Sequence, residues 1–497
     1  MRSILTCGFG GMLLLALSCS QDEQSAAVSE VSPVSPIAET PTTPAENDSI
    51  ALNSSSTPSP TGAEMNWPQW RGPNGNGVAL AGNPPIEWSE EKNVLWKVPV
   101  PGRGHSTPII WGKQLFLLTA VPEGATAGAS IPLLDSNQVF GQQRSGRGGG
   151  RGGFGAPVQA EKHDFVTISY DRTTGEELWR RSARKETPHE GMSGMGASEH
   201  GYASGSPVTD GTHLYSYFGS RGLYCYGIDG DLKWEKDLGD MKTRNAFGEG
   251  ASPALAGDVI VVVWDEEGDS FIYALDKNSG EVLWKKPRNE RSSWSTPSII
   301  EFEGQTQVVV NGTEAVRSYD LKSGDLIWEC SGQTANAIPS PVHQDGIVIA
   351  MSGFRGNALH AIRLGNKGVL TGTDAVVWSH DRGTPYVPSP LLFDGKLWFC
   401  QKNDGILSCF GATSGEMFYS QERLGIRGVY ASPIAAGNRV YIAGRDGNTV
   451  VVENSTQFKI LKTNRLEEKF DASPVVVGDY LYLRGQNTLY CIGETEG

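Results

Sequence analysis

The stretch Leu275-Asp276-Lys277-Asn278-Ser279-Gly280-Glu281-Val282-Leu283-Trp284 decides the fold. Its Asp can accept nearby backbone N–H groups and its Gly can supply a positive φ, so Asp-x-x-x-Gly predicts a tight turn. The residues after it predict a short strand that carries the Trp. The same pattern recurs at 170–179 and 319–328, and a shortened form stands at 228–234. The repetition indicates one structural unit used several times.

Later units keep the pattern in weaker form. Trp378 ends a fifth unit, 411–415 leads to Tyr419 in a sixth, and a seventh closes near Ile460. A large flat ring can fill the gap between neighbouring wedge-shaped sheets, so this column predicts packing rather than catalysis. The tryptophans to which we assign this docking role are Trp96, Trp179, Trp234, Trp284, Trp328 and Trp378.

A second column, Ser or Thr followed by Pro, counts the units. Its eight members are Thr107-Pro108, Ser206-Pro207, Ser252-Pro253, Thr296-Pro297, Ser340-Pro341, Ser389-Pro390, Ser432-Pro433 and Ser473-Pro474. Successive prolines lie 99, 46, 44, 44, 49, 43 and 41 residues apart, and the outlier contains a Gly- and Arg-rich segment at 121–161 that predicts a disordered insertion. Periods in the forties with four short strands each are typical of propellers. The sequence therefore predicts an all-β, eight-bladed propeller over 66–494.

The ends of the repeat region predict how the ring closes. The eighth unit runs from Phe470 to Glu494 and supplies only three strands. Its missing fourth strand is predicted at 94–97, a segment that carries Trp96. Pairing the two ends of the chain would remove an open sheet edge.

Composition excludes several classes of protein. The 497 residues carry a formal net charge of −14 and include 62 glycines. This glycine share is nearly twice the usual ~7% and fits many tight turns. The acidic balance argues against a nucleic-acid binder, which needs clustered Lys and Arg.

The N-terminal region predicts export. Residues 4–17 are mostly apolar after one positive charge, which is typical of a short signal peptide, predicted at 1–18. Cys19 follows Ala16-Leu17-Ser18 as in a lipobox and is the predicted lipidation site, with an ordinary secretory signal as the alternative. Residues 19–64 are rich in Ser, Thr and Pro and predict a disordered tether. We expect the periplasmic face of a membrane, with attachment through lipid only.

The Asp-x-x-x-Gly-x-x-x-Trp column resembles the repeat of quinoprotein-type propellers, the pyrroloquinoline-quinone-like repeat family. The runs Trp67-Pro68-Gln69-Trp70-Arg71-Gly72-Pro73 and Pro101-Gly102-Arg103-Gly104-His105-Ser106-Thr107-Pro108 resemble a family of exported bacterial propellers. The repeat and the lipid-attachment motif are also similar to the propeller lipoprotein of the outer-membrane β-barrel assembly machinery. The resemblance covers 66–494; it is specific for architecture and weak for chemistry.

Ligands of propellers usually sit at the mouth of the central channel, and the residues just ahead of each first strand line that mouth. The position three residues before each proline holds His105, Trp294, Tyr430 and Asp471 in four of the units. Stacking rings and charged groups at one end favour a small-molecule site, and a solvated loop surface is the equally weighted alternative. The predicted ligand-binding set is Arg103, His105, His200, Trp294, Tyr386, Arg427, Tyr430 and Asp471.

The resemblance implies two functions. The outer-membrane relative uses its loops for docking, which implies a non-enzymatic scaffold or binding protein of the cell envelope with an envelope-protein partner or a small ligand. The quinoproteins imply the alternative, a dehydrogenase of alcohols or sugars that depends on pyrroloquinoline quinone and calcium. There Asp471 would be the base and Trp294 the platform under the quinone. Because the adjacent Cys-Cys pair that often covers the quinone is missing, we expect no catalytic residue, cofactor or metal.

Cys400 and Cys409 flank a predicted hairpin at 403–405. A two-residue turn at Asp404-Gly405 would place the two cysteines directly opposite each other. A disulfide can form in an oxidising compartment. The alternative, two buried free thiols, is the expected state.

Overall fold

The computed structural model describes residues 65–125, 160–192 and 200–495. These residues form eight antiparallel sheets, the blades, of which seven have four strands and one has a fifth. The first strands of neighbouring blades contact one another, which identifies them as the innermost strands around the channel. The predicted eight-bladed propeller is confirmed.

The strands of each blade follow in order from the innermost outward. Blade 1 comprises Ile109–Trp111, Gln114–Pro122, His163–Asp171 and Glu177–Glu186, and blade 2 comprises Val208–Thr209, His213–Tyr217, Leu223–Gly227 and Leu232–Lys236. Blade 3 comprises Ala254–Ala256, Val259–Trp264, Ser270–Asp276 and Val282–Arg288. Blade 4 comprises Ser298–Phe302, Gln305–Val310, Ala315–Asp320 and Leu326–Ser331, and Gly368–Val369 adds a fifth strand to it. Blade 5 comprises Val342–Gln344, Ile347–Ser352, Ala358–Arg363 and Val376–His380, and blade 6 comprises Leu391–Phe393, Lys396–Cys400, Ile406–Gly411 and Met417–Arg423. Blade 7 comprises Ile434–Ala436, Arg439–Ala443, Asn448–Glu453 and Ile460–Arg465. Blade 8 comprises Val475–Val477, Tyr480–Arg484, Thr488–Ile492 and Val94–Pro99. Two short 3-10 helices lie at Gly219–Arg221 and Arg244–Ala246.

Blade 8 is closed by the N-terminal strand, as predicted. Val94–Pro99 runs antiparallel to Thr488–Ile492, and Trp96 stands opposite Cys491. The strand extends two residues beyond the predicted 94–97. Because the fourth strand of blade 8 comes from the start of the propeller, the outward side of Thr488–Ile492 is paired and the two ends of the repeat region are held together.

The Asp-x-x-x-Gly turns position the next blade against each Trp. In blade 3, the Asp276 carboxylate accepts the backbone N–H groups of Asn278 and Ser279 at 3.0 and 2.9 Å. A Cβ on Gly280 would stand 2.6 Å from the ring of Trp234 in blade 2, so only glycine lets the indole lie flat on the turn. The Trp234 indole N–H donates to the backbone carbonyl of Lys277 at 3.0 Å.

Four other tryptophans make the same bond to the next blade. The indoles of Trp96, Trp179, Trp284 and Trp378 donate to backbone carbonyls at 3.1, 3.2, 2.9 and 3.0 Å. Trp328 differs, because its indole N–H donates at 3.3 Å to the Gln307 side chain in its own blade. Blade 5 has no Asp-x-x-x-Gly turn to receive it. Instead Gly368–Val369, which lies between the last two strands of blade 5 in sequence, pairs beside Trp328 as the fifth strand of the blade 4 sheet.

The Ser/Thr-Pro column forms a ring of hydrogen bonds around the channel. The backbone N–H of each Ser or Thr donates to the hydroxyl oxygen of the equivalent residue in the next blade, at 2.9 to 3.0 Å. The final bond, from Ser473 to Thr107, closes the circle between blades 8 and 1. We call these eight residues the hydroxyl ring: Thr107, Ser206, Ser252, Thr296, Ser340, Ser389, Ser432 and Ser473.

The segment 66–79, which we call the plug, lies inside the channel. Trp67 pairs with Ile110 and Val78 with Ala435, both in innermost strands. The buried Arg71 guanidinium donates to the carbonyls of Pro433 at 2.5 Å and Pro390 at 2.7 Å. The run that the sequence offered only as a family resemblance therefore fills the channel.

The expectation that Cys400 and Cys409 stand opposite each other is wrong. Cys400 pairs with Leu407, and Cys409 pairs with Trp398. The loop between the strands is longer than two residues, because the N–H of Gln401 bonds to the carbonyl of Ile406 at 2.8 Å. Both cysteines are buried and free.

Several predictions lie outside the described residues: the signal peptide at 1–18, lipidation at Cys19, the tether at 19–64, and most of the insertion at 121–161. The insertion interrupts the hairpin between Gln114–Pro122 and His163–Asp171 of blade 1. No helix in the described part of the chain has the length and apolar character needed to cross a bilayer.

Candidate functional site

A cavity opens at the channel mouth above the hydroxyl ring. This mouth pocket has an empty volume of about 1330 Å³ and is open to solvent. The structure brings together six of the predicted ligand-binding residues in its lining: His105, His200, Trp294, Tyr386, Tyr430 and Asp471. They meet because each precedes an innermost strand, or lies in a loop beside one, and all these strands start at the same end of the ring.

The two predicted arginines lie outside the lining. The backbone of Arg103 pairs with Ala120 at the start of blade 1, and burial lowers the pKa of its half-buried guanidinium. Arg427 is exposed, and its backbone N–H donates to Asp446 at 3.1 Å. Sequence position alone did not show that these two side chains leave the pocket.

Asp471 is the centre of a charged cluster on one side of the mouth pocket. One carboxylate oxygen forms a short ion pair with Arg445, and the other lies 3.4 Å from His105 Nε2. The Arg445 guanidinium lies 3.3 Å from the centroid of the Tyr430 ring, and the His105 and His200 rings meet edge to face at 6.3 Å. Burial lowers the pKa of His105 more strongly than the Asp471 carboxylate raises it.

Aromatic rings line other parts of the wall. Tyr386 stacks on Phe354 with ring centroids 4.9 Å apart, and both line the mouth pocket. The Trp294 indole N–H donates to the carbonyl of Gly248 at 2.7 Å, which fixes the ring against the neighbouring loop. Rings held in this way offer stacking surfaces at low entropic cost to a ligand.

A second carboxylate in the lining, Glu249, is also held by protein groups. It accepts the backbone N–H and the hydroxyl of Ser220 at 2.6 and 2.5 Å, and Arg221 lies 3.5 Å away. Burial raises the pKa of Glu249. Both carboxylates that line the mouth pocket therefore have an arginine partner.

The sequence analysis missed the base of the mouth pocket. Six hydroxyl-ring residues and Trp70 of the plug line it. The Ser/Thr-Pro column was visible, but we interpreted it only as the start of each first strand. Trp70 belongs to a tryptophan-rich run that precedes the repeats and does not follow their pattern. That difference from the repeat was the signal in the sequence that could have indicated a role in the channel.

The residues of the mouth pocket do not fit the quinone and calcium alternative. Asp471, the expected base, is engaged by Arg445 and His105. Within 65–125, 160–192 and 200–495, no group of three His, Cys, Asp or Glu side chains is placed to hold a metal ion.

Solved structures resemble the fold across most of this chain. Quinohemoprotein alcohol dehydrogenase from Comamonas testosteroni matches 87% of this chain and 81% of its own, with 10% identity and a TM-score of 0.53. Quinohemoprotein alcohol dehydrogenase ADHIIG from Pseudomonas putida HK5 covers the same shares at 9% identity, with a TM-score of 0.55. At such low identity the likeness shows the fold alone.

Sequence comparison gives the family. Outer membrane protein assembly factor BamB of Shigella dysenteriae serotype 1 (strain Sd197) is 25% identical over 361 residues, which cover 60% of this chain and 85% of the relative. The protein of the same name from Escherichia coli (strain K12) is 24% identical over 362 residues, with the same coverage. The profile of the family described as outer membrane protein assembly factor BamB matches 163–421, more than half of the chain. The chain belongs to this BamB family of pyrroloquinoline-quinone-like propellers.

Proposed function

We propose that the chain is a non-enzymatic binding protein of the bacterial cell envelope that docks a partner protein or a small ligand in the mouth pocket. The observation that carries the proposal is the wall of this pocket. Fixed aromatic rings, among them Trp294 and Tyr386, line a cavity whose two carboxylates are held by arginines.

The wall suits binding better than proton transfer. Tyr and Trp are enriched where proteins bind partners, because their rings cover a large area and lose little conformational freedom. A general base needs a carboxylate that can reach the substrate proton, whereas both oxygens of Asp471 face protein groups. The mouth pocket is open to solvent, so a peptide segment can enter it as well as a small molecule.

The family supports an envelope location and an envelope-protein partner. Its described members are named outer membrane protein assembly factors. In this chain, export would depend on the predicted signal at 1–18, and attachment to the membrane on lipid at Cys19. The mouth pocket would then face partners in the periplasm.

Site-specific photo-crosslinking tests the docking proposal. We expect p-benzoylphenylalanine at Tyr386 to give a discrete adduct with an envelope protein or, detected by mass, with a small molecule. The matched control is the same residue at Leu283, an exposed position on the outer strand of blade 3. No adduct from Tyr386, or the same adduct from both positions, would contradict docking in the mouth pocket.

An activity assay tests the non-enzymatic part. The protein would be supplied with pyrroloquinoline quinone and Ca²⁺ and assayed for dye-linked oxidation of alcohols and sugars. We expect no turnover above that of the Asp471→Asn variant. Turnover that disappears in this variant would show that the chain is an enzyme.

A further inference from the structure

The hydroxyl ring has unused hydrogen-bond donors. Each hydroxyl oxygen accepts one backbone N–H, and each O–H group still has a proton to donate. Across the described parts of the chain, none of the eight O–H groups donates to a protein acceptor. Seven of the eight residues are buried, with 1 to 6% of their surface exposed, and Thr296 is partly buried.

These O–H groups can therefore donate to an acceptor in the channel, either water or a ligand. The same group stands in every blade, so the donors are repeated around the channel. Six of the eight residues, among them Ser252 and Thr296, line the mouth pocket. A ligand that enters from the mouth therefore reaches several of these donors together.

The charges near the hydroxyl ring favour a negative group. The carboxylates Asp471 and Glu249 already have arginine partners. Arg71, only 2% exposed, donates to the carbonyls of Pro390 and Pro433, which directly follow ring residues. It has no carboxylate partner, and its Nε–H is unpartnered among the described residues.

A second buried arginine stands beside another part of the ring. Arg484 is 1% exposed and donates at 2.7 Å to the carbonyl of Ser106, the residue before Thr107. Its Nε–H also has no partner within the described residues, and burial lowers the pKa of its guanidinium to about 10. Arg71 and Arg484 lie outside the lining of the mouth pocket, but they place two buried positive charges beside the hydroxyl ring, without a carboxylate partner among the described residues. Buried charge of this kind is stabilised by an opposite charge.

We infer that the hydroxyl ring binds the oxyanion end of a ligand, a carboxylate or a phosphate, whose apolar body lies against the aromatic wall of the mouth pocket. The inference rests on the proposed binding function and names the chemical class of its ligand. An oxyanion accepts several hydrogen bonds at once, which matches several O–H donors that surround one axis. Trp294 and Tyr386 would contact the body of the ligand.

Calorimetric titration with three probes tests this inference. 3-Phenylpropionate carries a carboxylate and a ring, 3-phenylpropanamide is its neutral counterpart, and inorganic phosphate is an anion without a ring. We expect the acid to bind about tenfold more tightly than the amide, because charged acceptors form stronger hydrogen bonds. Competition by phosphate would identify phosphate groups as acceptable, and its absence would restrict the site to carboxylates.

Two variants of Thr296 provide the matched control. Thr296→Val keeps the shape of the side chain and removes the hydroxyl, whereas Thr296→Ser keeps the hydroxyl. We expect the valine variant to bind 3-phenylpropionate about fivefold to tenfold more weakly, with its amide affinity unchanged, and the serine variant to bind like the parent. Circular dichroism would confirm that both variants are folded.

Equal affinity for acid and amide, or no binding of either, would overturn the inference. These results are independent of crosslinking at Tyr386. A crosslinked adduct at Tyr386 without a preference for the acid would support docking in the mouth pocket and reject the anionic ligand. If neither the adduct nor the preference for the acid were observed, the proposed binding function itself would be rejected.

Discussion

The two halves of the propeller join their blades in different ways. From blade 8 through blade 4, every junction has a tryptophan whose indole donates to the turn of the next blade, at Trp96, Trp179, Trp234 and Trp284. From blade 4 back to blade 8, only the Trp378 junction keeps this bond. The repeat is therefore regular in one half and degenerate in the other, although both halves form complete blades.

At the other three junctions, different contacts stand where the indole hydrogen bond to the next blade is missing. At the junction of blades 4 and 5, Gly368–Val369 adds a fifth strand. At the junction of blades 6 and 7, Phe458 packs on Tyr419 with ring centroids 5.6 Å apart. Between blades 7 and 8 lies the segment that carries Trp88 and Glu90. The backbone N–H of Trp88 donates to Asn464 of blade 7 at 2.9 Å and its ring stacks on Tyr441 of blade 7, while the Glu90 carboxylate accepts the hydroxyl of Tyr490 of blade 8 at 3.3 Å. The comparison shows that a blade junction needs a buried contact, whichever segment supplies it.

The largest expected effect tests a junction outside the repeat. Trp88 is 2% exposed, and we expect Trp88→Ala to lower the free energy of unfolding by about 3–5 kcal/mol, because a large buried ring is lost. Urea denaturation followed by circular dichroism measures this. Leu80→Ala, at a residue that is 45% exposed, is the control and should change stability by less than about 0.5 kcal/mol. Similar small effects in both variants would show that the N-terminal segment does not hold blades 7 and 8 together.

The next effect tests a junction inside the repeat. At Gly280 the φ is +71° and an added Cβ would stand 2.6 Å from Trp234, so we expect Gly280→Ala to cost about 3 kcal/mol from strain and displaced packing. At Gly257 the φ is +57° and nothing lies within 4 Å, so Gly257→Ala should cost only about 1 kcal/mol. Comparing the thermal unfolding of the two alanine variants separates the cost of the positive φ from the cost of contact with the indole of Trp234. Equal losses would mean that contact with the indole adds nothing to the backbone strain.

A smaller effect is expected in the hydroxyl ring, which both halves share. Ser389→Ala leaves the N–H of Ser340 without its acceptor, and we expect a loss of about 1–2 kcal/mol. Ser389→Thr keeps the hydroxyl and should restore most of the stability. Urea midpoints of the two variants give the comparison. If the alanine variant were as stable as the parent, the ring would contribute nothing to closure.

The smallest effect is a dependence of stability on pH. Burial lowers the pKa of His105, His163, His343 and His360 below the ordinary value of 6.5. The unfolded chain therefore binds more protons than the folded chain just below pH 6.5, and the free energy of unfolding should fall as the pH drops through that region. Urea midpoints at pH 8 and pH 5.5 measure the change. His360→Gln should reduce the slope, and an unchanged slope would exclude His360 as a contributor.

Local repeats could be predicted from sequence, and contacts across the ring could not. Asp276, Gly280 and Trp284 lie within ten residues, so their spacing alone indicates a turn and a strand. The eight Ser/Thr-Pro pairs fixed the blade number for the same reason. Six of the mouth-pocket residues followed from their place before the first strands.

The other features depend on partners far away in the chain. The short ion pair of Asp471 with Arg445, and the bonds of Arg71 to Pro390 and Pro433, join segments that no repeat relates. The register of Cys400 against Leu407 depended on a loop length that Asp404-Gly405 alone did not specify. Such contacts depend on closure of the ring. The repeat pattern predicts the number of blades but not which distant residues meet.

Closure by the N-terminal strand also governs when the chain can finish folding. The backbone N–H and the hydroxyl of Thr495 donate to the Asn93 side-chain oxygen across 402 residues of sequence, so the last blade cannot close until the chain has been synthesised to that point. Until then Val94–Pro99 lacks its partner strand, and its unpaired backbone groups can pair with other chains. A ribosome-stalled or truncated product that ends before Thr488–Ile492 should therefore be far more prone to aggregation and proteolysis than the chain that includes this strand. Pairing of Thr488–Ile492 with Val94–Pro99 is therefore the step that completes the ring.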